Sequence, residues 1–181
     1  MTRRVWMLLG LGVAGLCAAC SPVFDWRDVR VAPATAAAVL PCKKPSHVEH
    51  AIPLGGVPTA LSVTGCKAGG ATFAVMAAIL PQGQQVDEVL AGWQQATLDN
   101  MHADSNQVSR VPFRPLGGLA LPHAEHLTMQ GRQADGKAVQ GQAAWTAHEA
   151  ADGRTMLLHV VMYSQRKQDH EIDTFFETIR W

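Results

Sequence analysis

Hydrophobic and polar residues alternate along most of this chain, and the period lengthens in only two places. Val57, Thr59, Leu61 and Val63 fall on one face of a run, with Pro58, Ala60, Ser62 and Thr64 on the other, which is the spacing of a half-buried strand. Residues 71–80 are apolar on both faces, which predicts a strand inside a sheet. Shorter strand patterns cover residues 37–41, 48–54 and 107–113. In the last third, residues 125–133, 139–148 and 155–163 read as a meander. Its turns are Ala134-Asp135-Gly136 and Ala151-Asp152-Gly153, because glycine after aspartate supplies the positive φ of a tight hairpin. The period lengthens at Val86, Val89, Leu90, Trp93, Ala96, Thr97 and Met101, three or four apart, with Asp87 and Glu88 in the first turn. It does so again at Ile172, Phe175, Phe176 and Ile179, behind Asp169 and Glu171. Gly92 weakens the first helix by up to about 1 kcal/mol against alanine. These elements predict an α+β domain over residues 37–181, an antiparallel sheet of about six strands with two amphipathic helices packed on it.

The first twenty residues follow another grammar. Met1-Thr2-Arg3-Arg4 is a basic head, Val5 to Leu16 is an apolar run, and small residues lead to Cys20. That is the order of a secretory signal peptide. A membrane-spanning helix needs about 20 apolar residues; here the run is shorter and Asp25, Arg27 and Asp28 follow closely. The cysteine after small residues looks like a bacterial lipoprotein signal. Residues 1–19 would be the signal, and Cys20 the lipidated first residue of the mature chain, carrying diacylglycerol and an amide-linked palmitate. The pattern departs from the usual lipobox, with Cys17 where leucine is expected and Leu16 one position further back. Ser21 is not the aspartate that resembles an inner-membrane retention signal, so the expected address is the periplasmic face of the outer membrane. Residues 20–36, with Pro22 and Pro33, read as a tether on which Phe24, Trp26 and Val29 could dock.

Charge removes one class of partner. The chain has 15 basic and 15 acidic residues, and loss of Arg3 and Arg4 would leave the mature part at −2. This is no footprint for nucleic acid. Of four cysteines, Cys17 leaves with the signal and Cys20 takes lipid. Cys42 and Cys66 remain as an even pair in an oxidising compartment, which predicts a disulfide. The competing reading, free or metal-binding thiols, lacks a Cys-x-x-Cys spacing and a third thiol.

Val39-Leu40-Pro41-Cys42-Lys43-Lys44-Pro45, Gly65-Cys66 with Gly69-Gly70 and Thr72-Phe73-Ala74, and the closing Phe175-Phe176-Glu177-Thr178-Ile179-Arg180 resemble a family of uncharacterised Gram-negative lipoproteins. The resemblance spans about residues 37–181. It implies a PsbP-like α/β/α sandwich and carries no catalytic residues.

Candidate chemistry is sparse. His148-Glu149 begins like the zinc-protease helix motif but lacks the second histidine. His47 and His50, and His123 and His126, are three apart, and on a strand such residues point to opposite faces. Met76, Met101, Met129, Met156 and Met162 fit core filling better than a copper site. Trp93, Trp145 and Trp181 suit a sheet–helix interface, and Trp26 alone suggests a contact outside the core. No nucleophile elbow, Walker loop or dinucleotide fingerprint is present. The expectation is a lipid-anchored accessory or binding domain without catalytic activity, cofactor or metal, held to the membrane by its lipid and serving an unidentified envelope protein. The alternative is a metal-binding or hydrolytic envelope protein whose site gathers dispersed histidines such as His123, His126 and His159.

Overall fold

The computed structural model describes residues 23–132, 135–166 and 169–181. The signal, the lipidation site at Cys20, Gln133 at the end of an expected strand and Ala134 of the first meander turn lie outside the described residues. Strands β1 (Arg27–Arg30), β2 (Ala37–Leu40), β3 (Ser46–Leu54), β4 (Val57–Ala68) and β5 (Ala71–Ile79) lead to helix α1 (Val86–Asn100). A 3-10 turn (Ser105–Gln107) and strands β6 (Ser109–Pro112), β7 (Glu125–Arg132), β8 (Ala138–Glu149) and β9 (Thr155–Ser164) follow, and α2 (Asp169–Glu177) closes the chain.

The α+β class and the antiparallel pairing are as the alternation predicts, but the sheet is wider. It has seven strands in the order β3-β4-β5-β9-β8-β7-β6. The short strand β2 is not among them; it pairs with β1 in a separate two-stranded ribbon. β1 has no counterpart in the sequence reading, because Arg-Asp-Val-Arg is three-quarters charged and three of its four residues are exposed.

Two apolar layers sandwich the sheet. Facing positions in paired strands share a side, so Phe73 and Met162 look one way while Met76 and His159 look the other. Phe73, Val75, Val160 and Met162 pack with Phe175, Phe176 and Ile179 of the α2 segment and with Ala36, Ala38 and Leu40 of the ribbon. Leu61, Ala78, Trp145, Leu157 and Val161 pack with Val89, Leu90 and Trp93 of α1 on the opposite side. The polar face expected on β4 is covered too: Ser62 and Thr64 are buried. A second layer over that side cannot be read from the period of one strand. Four of the five methionines, Met101, Met129, Met156 and Met162, are buried in these layers.

The segment read as a tether is folded from Phe24 onward. Phe24 stacks on Trp26 at 6.1 Å, and Trp26 meets Phe73 edge-on at 6.2 Å. Val31, Ala34 and Ala36 are buried. Phe24 lies so close to Gly69, whose φ is +58°, that a Cβ there would overlap its ring. The expected disulfide is present: Cys42 and Cys66 are bonded, with Cα atoms 6.5 Å apart, tying the entry of β3 to the end of β4.

Candidate functional site

Helix α1 is the element around which concave surface gathers. A seven-stranded sheet is about 29 Å across at 4.8 Å per strand, and one helix with its side chains is about 10–12 Å wide. The helix therefore leaves sheet uncovered on both flanks. Its C-terminal end sits close on the strands because Gly131 gives room to the Met101 carbonyl, which accepts a 2.7 Å bond from the Arg132 amide.

One flank is polar. Asp87, in the first turn of α1, holds His123 twice: Oδ2 accepts from Nδ1–H at 2.8 Å, and Oδ1 accepts from the backbone amide at 2.8 Å. Gln94, buried two turns further along the same helical face, donates to the His123 carbonyl at 2.8 Å and accepts from Arg110 at 3.1 Å. Arg110 also pairs with Glu125 at 3.2 Å. The cleft here is about 330 Å³, and it shares Gln95 and Arg110 with a neighbouring cleft of about 500 Å³ that runs on to Asp99, His102 and Ser105. With Nδ1–H given to the carboxylate, His123 presents Nε2 outward, as the base half of a base–orienter pair does. No serine, threonine or cysteine lines the smaller cleft. The double grip on His123 also ties the loop before β7 to the helix start.

The other flank is apolar. Ile52, Leu54, Gly55, Gly92, Trp93 and Ala96 line a groove of about 510 Å³ between α1 and the β3–β4 hairpin. Gly92 and Ala96 keep this side of the helix low, and a Cβ at Gly92 would meet nothing within 4 Å.

The three histidines of the alternative reading are not brought together. His159 lies under α1, stacked on Trp145 at 4.4 Å and 8° and meeting Trp93 edge-on at 5.2 Å. Its Nδ1–H donates to the Ala144 carbonyl at 3.2 Å. Full burial pushes its pKa down to about 3, so the ring is neutral. His126 faces the α2 side, stacked on Phe176 at 4.3 Å, and burial lowers its pKa as well. Its Nε2 is buried without a hydrogen-bond partner. His123 stays at the start of α1, in the loop before β7. Among the described residues no three histidines, cysteines or carboxylates are grouped to hold a metal ion. Of the remaining candidates, His148 donates to the Gly117 carbonyl at 2.7 Å and stacks on Trp181, His47 bonds Thr64 at 3.1 Å, and His50 is exposed on β3. Trp26, singled out in the tether, is part of the aromatic packing on Phe73.

The Asp87–His123 pair was not visible in the sequence. Its members are 36 residues apart, and Asp87 already had a reason to stand in a helix first turn. Comparison of the chain with family models, with curated proteins and with solved structures gives no match.

Proposed function

We propose that this chain is a lipid-anchored accessory domain on the periplasmic face of the outer membrane, which holds an envelope protein rather than turning over a substrate. The observation that carries the reading is the disulfide between Cys42 and Cys66, which agrees with export to an oxidising compartment. Among the described residues the packing includes Phe24 and those after it, so cleavage before Cys20 leaves every described element intact. The layering of α1, sheet, and α2 with its ribbon is the arrangement that the PsbP-like resemblance implies. The half-covered α1 side supports partner binding, with clefts on both flanks of the helix, whereas the α2 side has one cleft of about 440 Å³, between residues 112–116 and the end of α2.

The Asp87–His123 pair resembles half of a hydrolytic dyad, and among the described residues no serine, threonine or cysteine lines its own cleft. It is better explained as the clasp of the loop before β7. Mass spectrometry of the protein purified from a Gram-negative membrane tests the anchor. The expected N-terminus is residue 20 bearing lipid, and Cys20→Ala abolishes palmitate incorporation. An unprocessed, lipid-free chain would overturn the reading.

A further inference from the structure

Charge is not spread evenly along the strands. Antiparallel pairing brings one set of strand termini to one end of the sheet: the end of β4 with the start of β5, the end of β9 with the start of β8, the end of β7 and the start of β3. At this end stand Lys43, Lys44, Lys67, Arg132, Lys137 and Arg166, all exposed. Among the described residues these include every lysine. Asp25 and Asp135 are engaged by Arg27 and Lys137, and Asp169 and Glu171, in the first turn of α2 just after the end of β9, also stand at this end. Asp104, on the α1 side, is engaged with Asn106 and Gln107. The opposite end carries Asp87, Glu88, Glu125, Glu149 and Asp152, with Arg110 and Arg154 paired to two of them and Arg114 and Arg180 beside Pro112 and Glu177. The described lysines, though not the arginines, are thus confined to one end.

The chain also enters the fold at the basic end, where Phe24 sits on Gly69 of the β4–β5 turn. Four residues from Cys20 to Phe24 span at most about 14 Å. A lipid at Cys20 would therefore hold this end, and no other, against the bilayer. The six strands that meet here make a front about 24 Å wide.

We propose that the basic end is a docking surface for anionic phospholipid headgroups, which stands the domain upright on the bilayer. The strands then run away from the membrane. The clefts beside α1 open sideways and the opposite end, which has no described lysine, is held outward. The proposal rests on the anchor reading and goes further, because a lipid alone fixes a distance and not an orientation. Each basic residue near an anionic surface strengthens attachment about fivefold, and salt screens it over about 8 Å at physiological strength.

The test uses the full processed chain, reconstituted into vesicles of phosphatidylcholine alone or with phosphatidylglycerol. A membrane-impermeant amine reagent reads lysine exposure, site by site, by mass spectrometry. Lys43, Lys44, Lys67 and Lys137 should label at least threefold more slowly on the anionic vesicles at low salt, and recover in 0.5 M salt. Charge reversal of Lys43, Lys44 and Lys67 to glutamate, all exposed, should restore labelling of Lys137. Equal labelling on both vesicles, with lipid present at residue 20, overturns the docking surface and spares the anchor. Equal protection on both vesicles means a protein, such as a second copy, covers this end, and overturns it too. If the purified chain carries no lipid, the anchor reading falls. Cosedimentation of that chain with the anionic vesicles alone then supports the basic end, and its absence overturns it.

Discussion

The two sides of the seven-stranded sheet are built to different standards. On the α2 side a helix, a two-stranded ribbon and the entering segment share the cover. Aromatic rings run from Phe24 through Trp26, Phe73 and Phe175 to Phe176 without a gap in the contacts. On the α1 side one helix sits over a few strands, rests on the Trp93–His159–Trp145 stack, and leaves a polar cleft on one flank and an apolar groove on the other. The first side is packed more continuously, with one cleft of about 440 Å³ at the end of α2. The second leaves more room for a partner, and the more deeply buried of the two histidines, His159, lies in its core.

The contrast can be broken by substitution. The largest effect belongs to Trp145→Ala, which removes the floor of the stack at a fully buried position. It should cost about 3–5 kcal/mol in denaturant unfolding; a loss under 1 kcal/mol would mean α1 is not seated on this stack. Next is acid. His159 has its folded pKa depressed to about 3, below the ordinary value of 6.5, so the unfolded chain takes up the proton first. Stability should be level above pH 6.5 and fall as pH drops towards 3, by roughly 4 kcal/mol if nothing relaxes. The lowered pKa of His126 adds to the same slope. His159→Phe should flatten most of it in a urea series across pH, and an unchanged slope would place the titration elsewhere. Third, Cys42→Ala with Cys66→Ala opens a link of separation 24. It should lower stability by about 3 kcal/mol and loosen the β3 edge in hydrogen exchange while α1 keeps its protection.

Smaller effects sharpen the difference between the two flanks of α1. Asp87→Ala removes both bonds to His123 and should cost about 1 kcal/mol, with faster amide exchange confined to the loop before β7 and the helix start. Gly92→Ala should go the other way. The position is an open helix interior, so a gain of about 0.5–1 kcal/mol in thermal unfolding is expected. A partner seated in the apolar groove would bind this variant more weakly, although the domain itself is firmer.

How far the sequence disclosed all this differs by element. α1, α2, the meander and the Cys42–Cys66 bond were legible, because each rests on local periodicity, on turn chemistry or on an even thiol count. The ribbon was not: β1 is four residues with three exposed, and only its docking beneath α2 makes it a strand. The cover over Ser62 and Thr64 was hidden for the same reason, since alternation reports one strand and not what lies above it. Strand order was silent as well, and with it the gathering of the lysines at one end. The histidines show the limit most clearly. The opposite-face argument fits His47 and His50 on β3, but His123 lies in the turn before β7, and only the fold places His159 between two tryptophans and gives Asp87 to His123.

The most direct measurement of the whole account is the intact mass of the membrane-extracted protein after treatment with a thiol-alkylating reagent, without reduction. The account predicts a chain of residues 20–181 carrying diacylglycerol and one further acyl group, with no alkylated cysteine. A mass that begins at Met1, lacks lipid and gains alkyl groups at Cys42 and Cys66 would contradict it.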